Sequence, residues 1–238
     1  MKIVCWNVHY DLTLKKYNHI NEFNADVYIF LECTKSSFDF IKDNWKYKCW
    51  YNDDLHYEDS PLGISIMSNK YQIEFCDMFN RNFRYVIPYK IKYSDDIYLF
   101  AIWTKPIPFY YSDNIIKALE DKNYAQYFEK PIILIGDFNS ATTLKDDGIY
   151  TNILEKGFIN TIDKANEYQE TFFYKKNSKY YTNDYCLINK KMNDKYKVAI
   201  KIPMLNKEIT SENKYEDLSD HCPVVVDIEE NSITTAST

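Results

Sequence analysis

Two polar side chains, Asp137 and Asn139, follow a run of four aliphatic residues, Ile132 to Ile135, and a glycine, Gly136. Residues two apart on an extended chain share a face, so a buried strand ending here delivers a carboxylate and an amide to one place. Gly136 lets the backbone bend or be approached closely just before them. Asp and Asn also bond their own backbone in turns, so the stretch reads equally as a strand stopping at an Asx-rich turn. The pattern is not confined to this strand. Asn7 closes the run Ile3 to Trp6, with His9 two residues beyond it, and Glu32 follows Val27 to Leu31. Asp184 opens the strand-like run to Asn189, and Asp220 with His221 precedes Val224 to Ile228. A carboxylate set among apolar neighbours, as Glu32 is, must be paired, lie at a strand tip facing solvent, or hold a cation. Five strand ends carrying a carboxylate, amide or imidazole are more than scattered turns would give.

A second kind of chemistry is suggested by Glu170 to Asp184, which mixes three lysines with five aromatic rings. Rings that stack on bases and cations that meet phosphate suit a hairpin lining a nucleic-acid groove, with Lys175 and Tyr181 as candidate substrate contacts. An exposed hairpin with solvated lysines has the same composition. Other catalytic designs are missing: there is no G-x-S-x-G nucleophile turn, no P-loop and no dinucleotide glycine fingerprint.

The elements that must position these groups are mostly strands. Runs at Lys2–Val8, Val27–Leu31, 47–52, Leu62–Ser68, Tyr71–Met78, Phe83–Tyr93, Ile97–Thr104, Asp184–Asn189, Lys197–Pro203 and the terminal Val224–Ile228 all read as strands. Helices are expected from Leu14 to about Asn24, where Leu14, Tyr17, Ile20 and Phe23 recur at three-residue spacing, and over 36–45. A longer helix is expected from a Ser112 N-cap to about Phe128, and another over Ile149–Lys156, ended by Gly157. Strands spread through the whole length imply a layered architecture, sheets inside and helices outside.

The 238 residues fit one large domain, here taken as 1–229, followed by a polar tail over 230–238. Hydrophobic residues at 45% and charged residues at 27% exclude wholesale disorder. The 23 tyrosines and 14 phenylalanines predict a ring-rich core. A formal charge of −6 argues against holding nucleic acid by bulk electrostatics, while leaving room for a local basic groove. The six cysteines have neither C-x-x-C nor zinc-site spacing, so they read as reduced thiols. With no signal-peptide pattern and no membrane-length apolar run, the expectation is a soluble, cytoplasmic protein without a membrane span.

The ordered set Trp6-Asn7, Leu31-Glu32, Gly136-Asp137-Phe138-Asn139, Asp184-Tyr185 and Ser219-Asp220-His221 resembles the endonuclease/exonuclease/phosphatase superfamily along nearly the entire chain. The resemblance implies a four-layer αββα sandwich, two β-sheets face to face with helices outside. It also implies hydrolysis of phosphate esters with a divalent cation, Mg²⁺ with Mn²⁺ as a substitute. By resemblance Glu32 is the principal metal ligand, with Asn7 and Asp220 beside it. Asp137 would orient or deprotonate the attacking water, Asn139 would hold a non-bridging phosphate oxygen, and His221, steered by Asp184, would contact the phosphate. Many relatives carry a His where this chain has Trp103-Thr104, a pair similar to that of a short bacterial branch; Thr104 would then donate to phosphate. His9 stands where relatives often have Asp or Asn, and Thr182-Asn183 precede Asp184 where an Arg or His with an aliphatic residue is more familiar. The functional expectation is a Mg²⁺-dependent nuclease acting on DNA or RNA. The alternatives are a phosphatase or phosphodiesterase acting on a lipid headgroup or small molecule, and a binding module that kept the fold without the activity.

Overall fold

The computed structural model describes residues 1–52, 62–83, 85–106, 111, 113–139, 148–160, 171–174, 179–203 and 218–231. The chain opens with β1 (Lys2–Tyr10), α1 (Leu14–Asn21), β2 (Val27–Thr34), α2 (Lys35–Ile41), β3 (Tyr47–Tyr51) and β4 (Leu62–Ser68). Next come β5 (Ile73–Phe75), β6 (Val86–Lys92), β7 (Asp96–Trp103), α3 (Asp113–Glu120), α4 (Lys122–Ala125) and β8 (Ile132–Asp137). The last third holds α5 (Gly148–Glu155), β9 (Phe158–Asn160), β10 (Phe172–Tyr174), β11 (Lys179–Tyr181), β12 (Asp184–Asn189), α6 (Lys190–Lys195), β13 (Tyr196–Lys201) and β14 (Val224–Glu230).

Twelve of these strands form two six-stranded sheets, ordered β13-β14-β1-β2-β4-β3 and β5-β6-β7-β8-β12-β9. Both are mixed: β1 with β2 and β7 with β8 are parallel, and the other pairs are antiparallel. The alternation of side chains along β1 shows how the layers arise. Ile3 and Cys5 join the core between the sheets, while Val4, Trp6 and Val8 join a second core with Leu12, Ile20, Phe38 and Ile41 beneath α1 and α2. On the other sheet, Ile115, Ala118 and Leu119 of α3, Tyr124 of α4 and Ile153 of α5 complete the main core. The result is the expected sandwich, with helices outside two facing sheets.

Several elements are shorter than the sequence suggests. The expected 112–128 helix breaks at Asp121, which is extended and caps α4 by accepting from Asn123 N at 2.8 Å; its expected N-cap, Ser112, lies outside the described residues. Thr34 caps α2, whose helix gives way after Ile41 to a single 3₁₀ turn, Lys42–Asn44. In the run Tyr71–Met78 the strand itself is only Ile73–Phe75, with one backbone hydrogen bond to β6 beyond each end. Helix α6 has no counterpart among the expected elements: six residues carry too little periodicity, although Asn189 provides an N-cap. All six cysteines are free thiols. Among the described residues no helix is long and apolar enough to cross a membrane. Strand β14 runs on through Glu230, and the rest of the expected tail, 232–238, lies outside the described residues.

Candidate active site

Strand register brings the first group of side chains together. Trp103 lies beside Asp137 across β7 and β8, and Asp184 lies opposite Asp137 across β12 and β8, so all three share one face of the sheet. Gly136 makes the approach possible. It has φ 138°, and a Cβ there would overlap the Ile102 carbonyl of the neighbouring strand. From the other sheet, Asn7 has the inward parity of Ile3 and Cys5, and it is fully buried against this face.

Glu32 arrives differently. Alternation along β2 would send it to the helix side with Tyr28 and Phe30, yet it turns toward the second sheet. The ladders on both sides of β2 shift register here, between Asn7 and Tyr10 on β1 and between Phe30 and Cys33 on β2. Glu32 adopts φ 54°, and opposite it His9 and Tyr10 adopt 47° and 77°. Asn139 is also left-handed, at φ 47°. Such backbone is strained for non-glycine residues; it persists where the surroundings over-determine it, and it clusters at functional sites.

The polar contacts form one network. Asn7 Nδ2 donates to Glu32 Oε1 at 3.0 Å and to Asp137 Oδ2 at 3.1 Å, while its Oδ1 accepts from His9 N at 3.1 Å. Two carboxylate acceptors on one side and an N–H donor on the other fix the orientation of this amide. Trp103 Nε1 donates to the same Glu32 Oε1 at 3.0 Å. Asn139 donates from its backbone N to Asp137 Oδ1 at 2.9 Å and from Nδ2 to Asp137 Oδ2 at 3.1 Å. The turn reading of this motif therefore holds, and the turn leaves both side chains beside Asn7. The second Asn139 amide proton goes to Thr104 O at 3.1 Å.

His221 Nδ1 meets Asp184 Oδ2 at 2.8 Å, and its Nε2 lies 3.9 Å from Asp137 Oδ2. The Phe172 ring packs on the imidazole with centroids 4.6 Å apart. Trp6 Nε1 holds the His221 carbonyl at 2.8 Å, and Ser219 Oγ donates to Asn7 O at 2.7 Å while accepting from His221 N at 3.2 Å. Burial alone would lower the imidazole pKa, but the Asp184 and Asp137 carboxylates outweigh it and raise the pKa to about 10. Burial raises Asp137 to about 7, against the pull of His221 and with a further push from Asp184. At neutral pH the site thus holds an imidazolium beside a carboxyl poised to exchange its proton.

Asp137, Asp184 and His221 present ligand atoms within 4.8 Å of one another, a spacing a cation could use. The His221–Asp184 hydrogen bond already satisfies that cluster, and a cation would have to displace it. Outside that cluster, Glu32 Oε2 and Asp220 Oδ1 are open oxygens that do not converge with it into one group. Glu32 accepts from two N–H donors at Oε1 and turns Oε2 toward His9, and Asp220 Oδ1 is a buried oxygen with no hydrogen-bond partner. A buried carboxylate oxygen left in that condition suits a hard cation.

The sequence-derived residues Asn7, Glu32, Asp137, Asn139, Asp184, Asp220 and His221 therefore gather at one end of the sandwich. Thr104 is there too, but its hydroxyl donates to Phe138 O at 2.7 Å, so its proton is not free for phosphate as expected. Tyr181 pairs with Phe172 in the β10–β11 hairpin, which docks on the His221 segment through Phe173 N to Asp220 O and Cys222 N to Thr171 O. Lys175 lies outside the described residues. Sequence reasoning gives no supporting role to three residues that the structure places around the site. Trp103, which in sequence marks only the place of a missing histidine, proves to hold Glu32. Ser219 ties the first strand to the last loop. Thr171 Oγ1 accepts from Asn183 N and Asp184 N, each at 3.0 Å, and its only signal is a position just before an aromatic run.

No protein-family model matches the sequence, and no curated protein matches it. Solved structures do. An endonuclease/exonuclease/phosphatase family protein from Leptotrichia buccalis is 20% identical with TM-score 0.64, covering 96% of this chain and 99% of its own. The 3′ phosphatase NExo from Neisseria, solved with a product DNA hairpin, is 15% identical with TM-score 0.63, covering 96% and 99%. A mannosyl-6-phosphatase from Bacteroides thetaiotaomicron is 14% identical with TM-score 0.63, also covering 96% and 99%. Two facing mixed sheets with helices outside, matched over nearly the full length of each of these chains, give this protein the fold of the endonuclease/exonuclease/phosphatase family.

Proposed function

We propose that this protein is a metal-dependent phosphoric ester hydrolase that cleaves phosphodiesters of DNA or RNA, using Mg²⁺ or Mn²⁺. The observation carrying this reading is the buried group of Asp137, Asp184, His221 and Asn7 facing Glu32 and Asp220, residues drawn from both ends of the chain. A cation held principally by Glu32, with Asn7 and Asp220 beside it, would supply charge neutralisation at phosphate. Asn7 keeps one carbonyl lone pair for it while its amide protons hold Glu32 and Asp137 in place.

The remaining steps belong to the protein. Asp137, with a pKa near 7, is matched to taking a proton from an attacking water at neutral pH. Asn139 orients Asp137 through two hydrogen bonds, and exchange of one amide proton would let it hold a phosphate oxygen. His221, charged and turned by Asp184 so that Nε2 faces the site, would donate to a non-bridging oxygen as charge accumulates there. A fixed donor of this kind requires no reorganisation during the reaction.

Nucleic acid is supported as the substrate by the ring- and lysine-rich segment at 170–184 and by the Neisseria neighbour's DNA product. The net charge of −6 supports a second reading, a phosphatase or phosphodiesterase acting on a lipid headgroup or small molecule. Incubation of purified protein with single- and double-stranded DNA and RNA in Mg²⁺ or Mn²⁺ decides between them. Cleavage abolished by chelator and by Glu32→Ala is expected. Turnover of bis-p-nitrophenyl phosphate or an inositol phosphate without nucleic-acid cleavage would favour the second reading. Intact substrates throughout, with Glu32→Ala matching wild type in every assay, would leave a binding module.

A further inference from the structure

Two residues of β1, Val8 and His9, stand against the single residue Glu32 of β2, because the ladder pairs Asn7 with Leu31 and then Tyr10 with Cys33. A bulge of this kind re-aims side chains and takes backbone groups out of the ladder. A buried carbonyl released in this way has to meet another donor. Lys16, in the first turn of α1, supplies one: its Nζ donates to Val8 O and reaches His9 O at 3.5 Å. These carbonyls belong to the peptide groups on either side of His9, which is held at φ 47°. One ammonium therefore fixes both peptide planes around a left-handed residue.

Lys16 is a buried side chain. Burial lowers its pKa, and the Asp11 and Asp220 carboxylates oppose that shift. An ammonium taken out of water is costly unless it is hydrogen-bonded, and an apolar side chain of the same length would fill the space without that cost. The segment it holds leads straight into the site. Ser219 Oγ donates to Asn7 O, so side chains grip the backbone on both sides of the Asn7–Val8 bond. His9 N donates to Asn7 Oδ1 at 3.1 Å, which turns Asn7 Nδ2 toward Glu32 and Asp137. Glu32, left-handed at φ 54°, lies on the other side of the same bulge.

Resting on the reading that Asn7, Glu32 and Asp137 serve a cation-assisted hydrolysis, we propose that Lys16 is a positioning residue for that reaction. Its ammonium locks the bulge between β1 and β2, and so keeps Asn7 against Glu32 and Asp137. It acts only through the backbone of Val8 and His9 and touches no reacting atom.

The test is Lys16→Met, which keeps the length of the side chain and removes the charge. Hydrolysis of bis-p-nitrophenyl phosphate in Mn²⁺ should show kcat lower by about 10- to 100-fold, with KM changed less than about threefold. The second readout needs no activity. Trp103 Nε1–H donates to Glu32 Oε1, so its indole resonance reports whether Glu32 stays in place. In Lys16→Met that resonance should move, and its proton should exchange with solvent about tenfold faster or more. Glycine takes left-handed backbone without strain, so His9→Gly combined with Lys16→Met should lose at least about threefold less kcat than the product of the two single losses. If Lys16→Met does not fold, Lys16→Gln, with a shorter neutral donor, is read in the same three ways. A variant with the kcat and the Trp103 resonance of wild type, whatever its melting point, would overturn the assignment and leave Lys16 a structural residue. Fully multiplicative losses in the double variant would overturn the bulge as the route. A wild type that hydrolyses no phosphate ester, with the Trp103 resonance still displaced in Lys16→Met, would remove the hydrolase reading and uphold the lock.

Discussion

Replacing Asp184 by Asn perturbs the site at its most buried ionic contact. The substitution keeps shape and removes the charge that faces His221 Nδ1 at 2.8 Å, in a place where both side chains are almost wholly excluded from water. Breaking one partner of such a pair costs about 3–5 kcal/mol, a loss that a domain with roughly 5–15 kcal/mol of stability survives. The pH dependence carries the sharper signature. In the folded protein His221 keeps its proton to about pH 10, against 6.5 for the free side chain. Its contribution to stability is therefore complete below about pH 6.5 and is lost as the pH rises toward 10. In wild type this adds a fall of about 1.4 kcal/mol per pH unit across that window. The Asp184→Asn change removes the largest stabiliser of the imidazolium, so most of that fall should vanish. Urea denaturation of both proteins in chelator at intervals from about pH 6 to 10 measures it, and the difference between the two slopes isolates this pair from the tyrosines and cysteines titrating nearby. Turnover at neutral pH should drop by about 100-fold or more, because the imidazole loses both charge and orientation. Equal slopes in the two proteins, or a loss of stability under about 1 kcal/mol, would refute the claim that Asp184 keeps His221 charged.

Other perturbations probe the remaining supports. Trp103→Phe keeps the ring in the core but deletes the Nε1 donor to Glu32, and cation affinity by calorimetry should weaken by about tenfold while thermal stability changes little. Gly136→Ala places a methyl against the Ile102 carbonyl at φ 138°; a cost of about 3 kcal/mol or more, seen as a melting point lower by roughly 6–12 °C, is expected. Ser219→Ala cuts the bond to Asn7 O and frees His221 N. It should cost about 1–2 kcal/mol in denaturant melts and lower kcat with little change in KM, because it loosens the site without touching substrate.

How much of this is legible in the sequence depends on which physical rule carries each residue. Apolar runs of strand length are fixed by burial, so β1, β2, β4, β7, β8, β12 and β14 are readable within a few residues, and so is the layered architecture. The two-residue period also places Asn7 with Ile3 and Cys5, and an Asp at the end of an apolar strand announces itself at Asp137. Side-chain chemistry at strand ends thus names the site's members before their meeting can be seen. The strand register that sets Trp103, Asp137 and Asp184 in one row is not written locally, because pairing is decided by contacts distant along the chain. Local alternation even points the wrong way for Glu32, whose left-handed backbone at a register shift reverses the face it would otherwise take. The same shift turns His9, a residue with no sequence signal beyond its spacing, toward Asp220. Sequence determined which groups are available and that they end strands, since hydrophobic burial and periodicity act locally. Tertiary structure decided which of them touch, which protons are already engaged and which oxygens are left open, since those follow from the packing of two sheets and the strain their junction can hold.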